Sequence, residues 1–472
     1  MHLGLLWVLF EKFGAAFLSV AVFFVYAKFL STEEMGISVL ILSVTQFLAL
    51  LLNTFFEDAL VQKNSISPRD IDTTFWVSNV LSFSVSALTC LGFWIWGQSM
   101  PTYPIFLMSL FAVLEIIFTN LGTTYVAQLR RDGKFKTLAL RVVLGRVFGS
   151  IVGLFCIFSQ LGAWSILAQS VMAMGMQLAI LLYAVRKIPG RDIHLSLLKE
   201  SLHYGSMLTL RRLSWDAFVR MTPIAAGITG GPSAAGIVGF SWRIVELLRG
   251  SISSGLAGYL LPLLSKGQND IEKMAKSFIN ITGITAFFVT PIFLGLYIIT
   301  PSMMRGIFDD KWLEATPIIQ FFTLAALISS YRVAANVCIS ALGHPGTMLV
   351  TDAVCSFLGI TIMLIFGHNG LWVIGATHIL FQICVLPKNF QIISNLIHLS
   401  YWRQFSPIIF YAFSGNLMFI LLYAFSFVYA EAPSLSLLII QMGLGLLLFT
   451  TFSILFHKPD ILSWKENIKK GV

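Results

Sequence analysis

The residues best placed to do chemistry in this chain are cations set deep within apolar stretches. Arg212, Asp216 and Arg220 recur at i,i+4, which stripes them along one face of a helix, and Arg243, Glu246 and Arg249 recur at i,i+3. That spacing lets Asp216 and Glu246 pair with the arginines and lowers the cost of burying them. With Arg211, the two segments hold five arginines against two acids, a surplus of three. A structural ion-pair network tends towards neutrality, so a surplus in low dielectric points to a waiting anion, and guanidinium forks suit phosphate. The alternative is a structural network relieved by water. Arg332, Arg146 and Lys28 are further cations inside apolar runs. Glu115 is an isolated carboxylate in such a run, open to a role as a proton or cation site or as partner to an arginine.

Other chemistries lack their signatures. The eight histidines form no H-E-x-x-H and no ligand pair, and no P-loop, nucleophile elbow or glycine-rich nucleotide fingerprint occurs. The five cysteines all fall in apolar runs without a C-x-x-C pair, so neither a disulfide framework nor a metal site is expected. No cofactor and no enzymatic activity are predicted. Without a P-loop, active transport must draw on a gradient or on downhill substrate flux.

The elements that must position these groups are membrane spans. Of the 472 residues 57% are hydrophobic and 11% charged, with a mean hydropathy of +0.83. Soluble domains carry about 25% charged residues. The apolar runs are about 20 residues long and unbroken, which fits transmembrane helices rather than barrel strands. Spans are expected at 5–28, 37–56, 73–97, 103–127, 138–159, 164–185, 204–229, 234–258, 277–299, 314–342, 347–366, 371–390, 407–428 and 434–456, fourteen in all. The first is a retained span, not a cleavable signal, because Glu11 and Lys12 interrupt it and no basic region precedes it.

Lysine and arginine set the orientation. With a cytoplasmic N-terminus, twenty fall in cytoplasmic loops and the tail, against Arg305 and Lys311 on the opposite side. Both termini are therefore expected in the cytoplasm. That placement also accounts for the net charge of +9 without a nucleic-acid partner. Arg220 and Arg243 each lie nine residues from the outer end of their span, about 13 Å of helical rise. Snorkelling suits Arg146 and Lys12 but serves Arg220 and Arg243 poorly. Glu57 and Asp58 read as solvated caps, and Asp352 as a helix-start residue.

Two patterns recur. Met35-Gly36-Ile37 returns as Ala235-Gly236-Ile237, 200 residues later, and Phe158, Gly162 and Trp164 return as Phe366, Gly370 and Trp372, 208 residues later. Both fall at equivalent places in two six-span halves, about 1–200 and 201–400, with 401–472 adding a helix pair and a tail. Six spans preserve orientation, so the repeat is parallel. The fold class expected is all-α and polytopic, two pseudo-symmetric lobes around a central cavity plus a C-terminal pair.

The stretch A-K-F-L-S-T-E-E-M-G at 27–36, then A-L-V-Q-K at 59–63, D-T-T-F-W at 72–76, Q-L-R-R-D-G-K-F-K at 128–136 and G-A-W at 162–164 resemble motifs of the bacterial polysaccharide flippases of the Wzx type. Those flippases belong to the superfamily that also holds the MATE exporters and the lipid II flippase. Departures are Lys28 where Arg is usual, Ser31 and Met35 for Gly and Tyr, and Glu57–Asp58 for a D-L-G-L segment. The resemblance implies alternating access in the inner membrane. Its cargo would be an undecaprenyl-pyrophosphate-linked oligosaccharide moved to the periplasmic leaflet, with membrane lipids, a polysaccharide polymerase and export machinery as partners. Spans thirteen and fourteen would offer the lipid tail a groove. Arg211, Arg212, Arg220, Arg243 and Arg249, with Arg332, Lys28 and Arg146, would hold pyrophosphate and sugar. A MATE-type exporter of organic cations should have an acidic cavity, not a basic one. A membrane polymerase or ligase should carry a large outer loop, and the longest here is about 300–313.

Overall fold

The computed structural model describes residues 18–63, 66–98, 102–186, 189–193, 195–266, 270–429 and 434–469, without the side chains of 58, 59, 62, 195–209, 211, 212, 254–266, 345, 434 and 458–469. Among the described residues it is helical, with no strand. The helices are α1 (Leu18–Phe29), α2 (Thr32–Gln62), α3 (Pro68–Gly97), α4 (Ile105–Ala112), α5 (Leu114–Arg131), α6 (Phe135–Phe158), α7 (Trp164–Val185) and α8 (Leu195–Lys266). They continue as α9 (Ile271–Ile307), α10 (Ala315–Tyr331), α11 (Val333–Ala341), α12 (Leu349–Phe366), α13 (Leu371–Ile397), α14 (Tyr401–Val428) and α15 (Ser434–Lys469). The chain forms two compact units, Met1–Gly239 and Phe240–Val472.

Twelve helical stretches among the described residues are long and apolar enough to cross a membrane, against the fourteen expected. The differences have local causes. The first expected span survives as the shorter α1, its residues 5–17 lying outside those described. The seventh and eighth lie on either side of Gly231 in one helical run. There φ of +81° and ψ of 179° kink the chain, a conformation that glycine adopts without a Cβ penalty. The fourth and tenth each tighten in mid-course. Val113 separates α4 from α5, and Arg332 separates α10 from α11, whose backbone N–H reaches back three residues to Ser329 O (3.2 Å). A short 3₁₀-type tightening inside a span often marks a hinge or site.

The residues behind the family resemblance clamp helix ends. Ser31 Oγ accepts Glu34 N–H (3.1 Å) while Glu34 Oε2 accepts Ser31 N–H (2.9 Å), a capping box that starts α2. Gly162, at φ +50°, leaves room for Glu34, and Ser38 Oγ donates to Ala163 O (2.8 Å). At the other end of α2, Arg131 donates to the carbonyls of Leu60, Val61 and Lys63, satisfying acceptors that a helix C-terminus leaves bare. Lys63 pairs with Asp70 (2.8 Å), and Glu57 pairs with Arg130 (2.7 Å). Glu57 is thus buried in an interhelical pair and not a solvated cap, because Arg130 of α5 reaches it.

The two glycines of the M-G-I and A-G-I patterns pack against each other within the first unit. A Cβ on Gly36 would overlap the Pro232 carbonyl and lie 3.0 Å from Gly236 N, and a Cβ on Gly236 would overlap the Thr32 carbonyl and lie 3.0 Å from Gly36 N. Each glycine thus meets the carbonyl four residues before its counterpart. Farther along, Gly227 faces Leu40 and Gly239 faces Val39, so both arms flanking Gly231 pack on α2. Small residues let backbones approach closely where lipid supplies no hydrophobic drive between helices.

Candidate functional site

In the first unit, four helices bring together Gln46 of α2, Glu115 of α5, Ser170 of α7 and Arg220 of α8. Arg220 Nη1 donates to Gln46 Oε1, Gln46 Nε2 donates to Ser170 Oγ (3.2 Å), and Ser170 Oγ donates to Glu115 Oε1 (3.0 Å). Arginine has only donors, so Gln46 must turn its oxygen to Arg220 and its amide nitrogen to Ser170. The hydroxyl then has its own proton left to give to the carboxylate. Every dipole in the chain therefore points from cation to anion, a polarised relay in low dielectric. Glu115 is 3% exposed, and its Oε2 has no hydrogen-bond partner. Asp216 lies half-buried one turn before Arg220. Gln46 and Ser170 were not among the residues expected from sequence. Their signal is that polar groups inside spans must find partners across helices.

In the second unit, the site is aromatic and cationic. Glu246 accepts both Nε (2.6 Å) and Nη2 (2.8 Å) of Arg249, a bidentate pair at i,i+3 on α8. Arg249 lies 5.9 Å from the ring of Trp242, which meets His378 of α13 at 5.2 Å and Phe322 of α10 edge-on at 5.5 Å. His378 and Phe322 are buried and hold the half-buried Trp242 in place, so its ring and the arginine fork stand side by side, as a sugar ring beside an anion would require. Trp242 and His378 were also missed, since aromatic residues in spans usually fill the core.

The remaining expected residues spread out. Arg332 is 6% exposed, donates Nη1 to Gln382 Oε1, and lies 3.7 Å from the equally enclosed Asp352. Asp352 therefore does more than start α12: it faces an arginine. Arg146 and Lys28 are exposed, with Arg146 donating to Ser19 Oγ (3.1 Å), and Arg243 is exposed on α8. The side chains of Arg211 and Arg212 lie outside the described residues. Among the described residues, no group of three or more His, Cys, Asp or Glu is arranged to hold a metal ion.

A family model described as "Polysaccharide biosynthesis protein" matches residues 25–317. The succinoglycan biosynthesis transport protein ExoT of Rhizobium meliloti is 23% identical over 66% of this chain and 63% of its own length. The teichuronic acid biosynthesis protein TuaB of Bacillus subtilis is 22% identical over 60% of this chain and 59% of its own. The match therefore spans less than two thirds of either relative. In fold, the chain is similar to the lipid II flippase MurJ in an inward closed conformation, with a TM-score of 0.76 at 14% identity over 97% of this chain and 100% of that one. An inward-facing MATE-family multidrug resistance transporter follows at 0.59 and 14% identity, over 82% and 96%.

Proposed function

The chain belongs to the polysaccharide biosynthesis protein family, and from that premise we propose that it is a flippase for undecaprenyl-pyrophosphate-linked oligosaccharides. It moves them from the cytoplasmic to the periplasmic leaflet of the bacterial inner membrane, with both of its own termini cytoplasmic. The observation that carries this reading is the pair of arginines held inside spans by partners of their own unit, Arg220 by Gln46 and Arg249 by Glu246. A half-buried guanidinium positioned by neighbouring groups can exchange one of them for a phosphate oxygen at little reorganisation cost. Trp242 beside Arg249 gives a sugar a face to stack on.

Relatives named for transport in succinoglycan synthesis and for teichuronic acid synthesis support a glycan cargo, and the likeness to a lipid II flippase supports a fold able to accept a lipid-linked one. An organic cation would be repelled by Arg220 in the first unit and by Arg249 in the second, each taken by itself, which argues against an exporter of MATE cargo. The bound anion is exposed alternately to the two sides of the membrane, and a polymerase consumes the delivered unit. Arg332 pairs with Asp352 and Gln382 inside its own unit.

The test uses cells whose surface glycan depends on this gene. Arg220→Ala and Arg249→Ala, each shown to reach the membrane at normal abundance, should lower glycan export by roughly tenfold or more, the loss of one charged contact. Normal export in both variants would sink the proposal.

A further inference from the structure

The relay in the first unit does more than hold Arg220. We infer that Glu115 is a proton-binding site whose occupancy sets the affinity of Arg220 for an anion, through Gln46 and Ser170. This rests on the reading of Arg220 as an anion contact.

Three observations lead there. Glu115 is almost wholly enclosed, yet one of its two oxygens lacks a hydrogen-bond partner. While Glu115 is ionised, that unengaged acceptor is costly in low dielectric, and protonation relieves the cost. The unengaged Oε2 is where a proton can be held without breaking any contact. Next, the other oxygen is tied to Arg220 by three hydrogen bonds of one direction, so charge at one end is felt at the other. Finally, α5 begins at the mid-span tightening after Val113, only two residues before Glu115.

The charge that acts on Glu115 is Arg220 of α8, with Asp216 of the same helix half-buried one turn before it. The helix α7 carries no charged residue, and α4 carries no ionisable one. From α3 comes the Cys90 thiol, packed with Val113 and Ile116, while Arg69, Asp70 and Asp72 stand at that helix's first turns. The acids of α2 are at its ends, with Glu57 paired to Arg130. On α6 the ionisable groups are Lys136, Arg141, Arg146 and Cys156, with Arg146 turned to Ser19.

The cycle balances with one proton. While Glu115 is ionised, its charge reaches Arg220 through the relay and opposes an incoming anion. When water delivers a proton to Oε2, the relay loses its negative end and Arg220 attracts the anion more strongly. An anion that draws Nη1 away from Gln46 removes what stabilised the carboxylate, so proton and anion favour each other by the same factor. Release of the anion returns the proton from Oε2 to water.

The experiment measures binding of UDP-glucose, a soluble pyrophosphate diester with two fixed charges, to the full-length protein in nanodiscs. The titration runs from about pH 8 to about pH 5. Wild type should tighten by roughly tenfold across that range, Glu115→Gln should bind with the tight limit at every pH, and Ser170→Ala should flatten the dependence. Wild-type binding that is real but independent of pH overturns the relay and leaves the anion reading standing. So does a pH dependence that persists in Glu115→Gln. If folded wild type binds no UDP-glucose at any pH while Arg220→Ala exports glycan normally, both readings fall.

Discussion

Arg332 and Asp352 allow a structural role to be separated from a transport role. Both are about 6% exposed and stand 3.7 Å apart, an ion-pair distance beyond a hydrogen bond, with Gln382 taking Nη1 of the arginine. At an effective dielectric of about 20, opposite unit charges at that separation attract by roughly 4–5 kcal/mol, most of it offset by the cost of bringing both out of water. Arg332→Met would leave Asp352 charged and enclosed, a loss of about 3–5 kcal/mol. Asp352→Asn alone should cost a similar amount. The double variant should recover most of it, because no uncompensated charge remains, and the cycle should yield a coupling of about 2 kcal/mol or more. Thermal unfolding of the purified variants in detergent measures stability, and glycan export in cells measures function. If the double variant is no more stable than either single one, the pair does not hold this part of the fold together. A stable double variant that fails to export would place Arg332 at the cargo.

Three further outcomes follow from the geometry. Gly36→Ala and Gly236→Ala should each lower stability by about 1–3 kcal/mol, read as an earlier thermal transition, because the added methyl meets a backbone carbonyl that cannot rotate away. Trp242→Phe should retain most glycan export while Trp242→Ala loses roughly tenfold, since a ring face is what Arg249 and the sugar share. Glu57→Gln should destabilise by about 1–3 kcal/mol and Arg130→Met with it should cost little more, because the two act as one pair.

Much of this was legible in the sequence for a physical reason. A span in lipid must satisfy its own backbone, so length and hydropathy alone mark helices such as α12 and α14, and positions three and four apart share a face. The Arg249–Glu246 fork is therefore visible as an i,i+3 spacing. The relay is not, because Gln46, Glu115, Ser170 and Arg220 come from four helices and no local periodicity links them. The same limit hid the partners of Arg332, which are Asp352 and Gln382 of other helices, and of Glu57, whose partner lies 73 residues away. The count of spans differed where hydropathy has no say. At Gly231 the kink is a single backbone conformation.

The Gly36–Gly236 contact bears on how this sequence can change over time. Substitutions at most packed positions can be rescued by a smaller neighbour, but here the neighbour of each Cβ is main chain, and the opposing residue is already the smallest there is. The contact reads the same from either side, so no change at one glycine can be absorbed at the other. A change beside the contact is therefore expected to be tolerated before a change at either glycine, because only the latter places side-chain atoms on main chain.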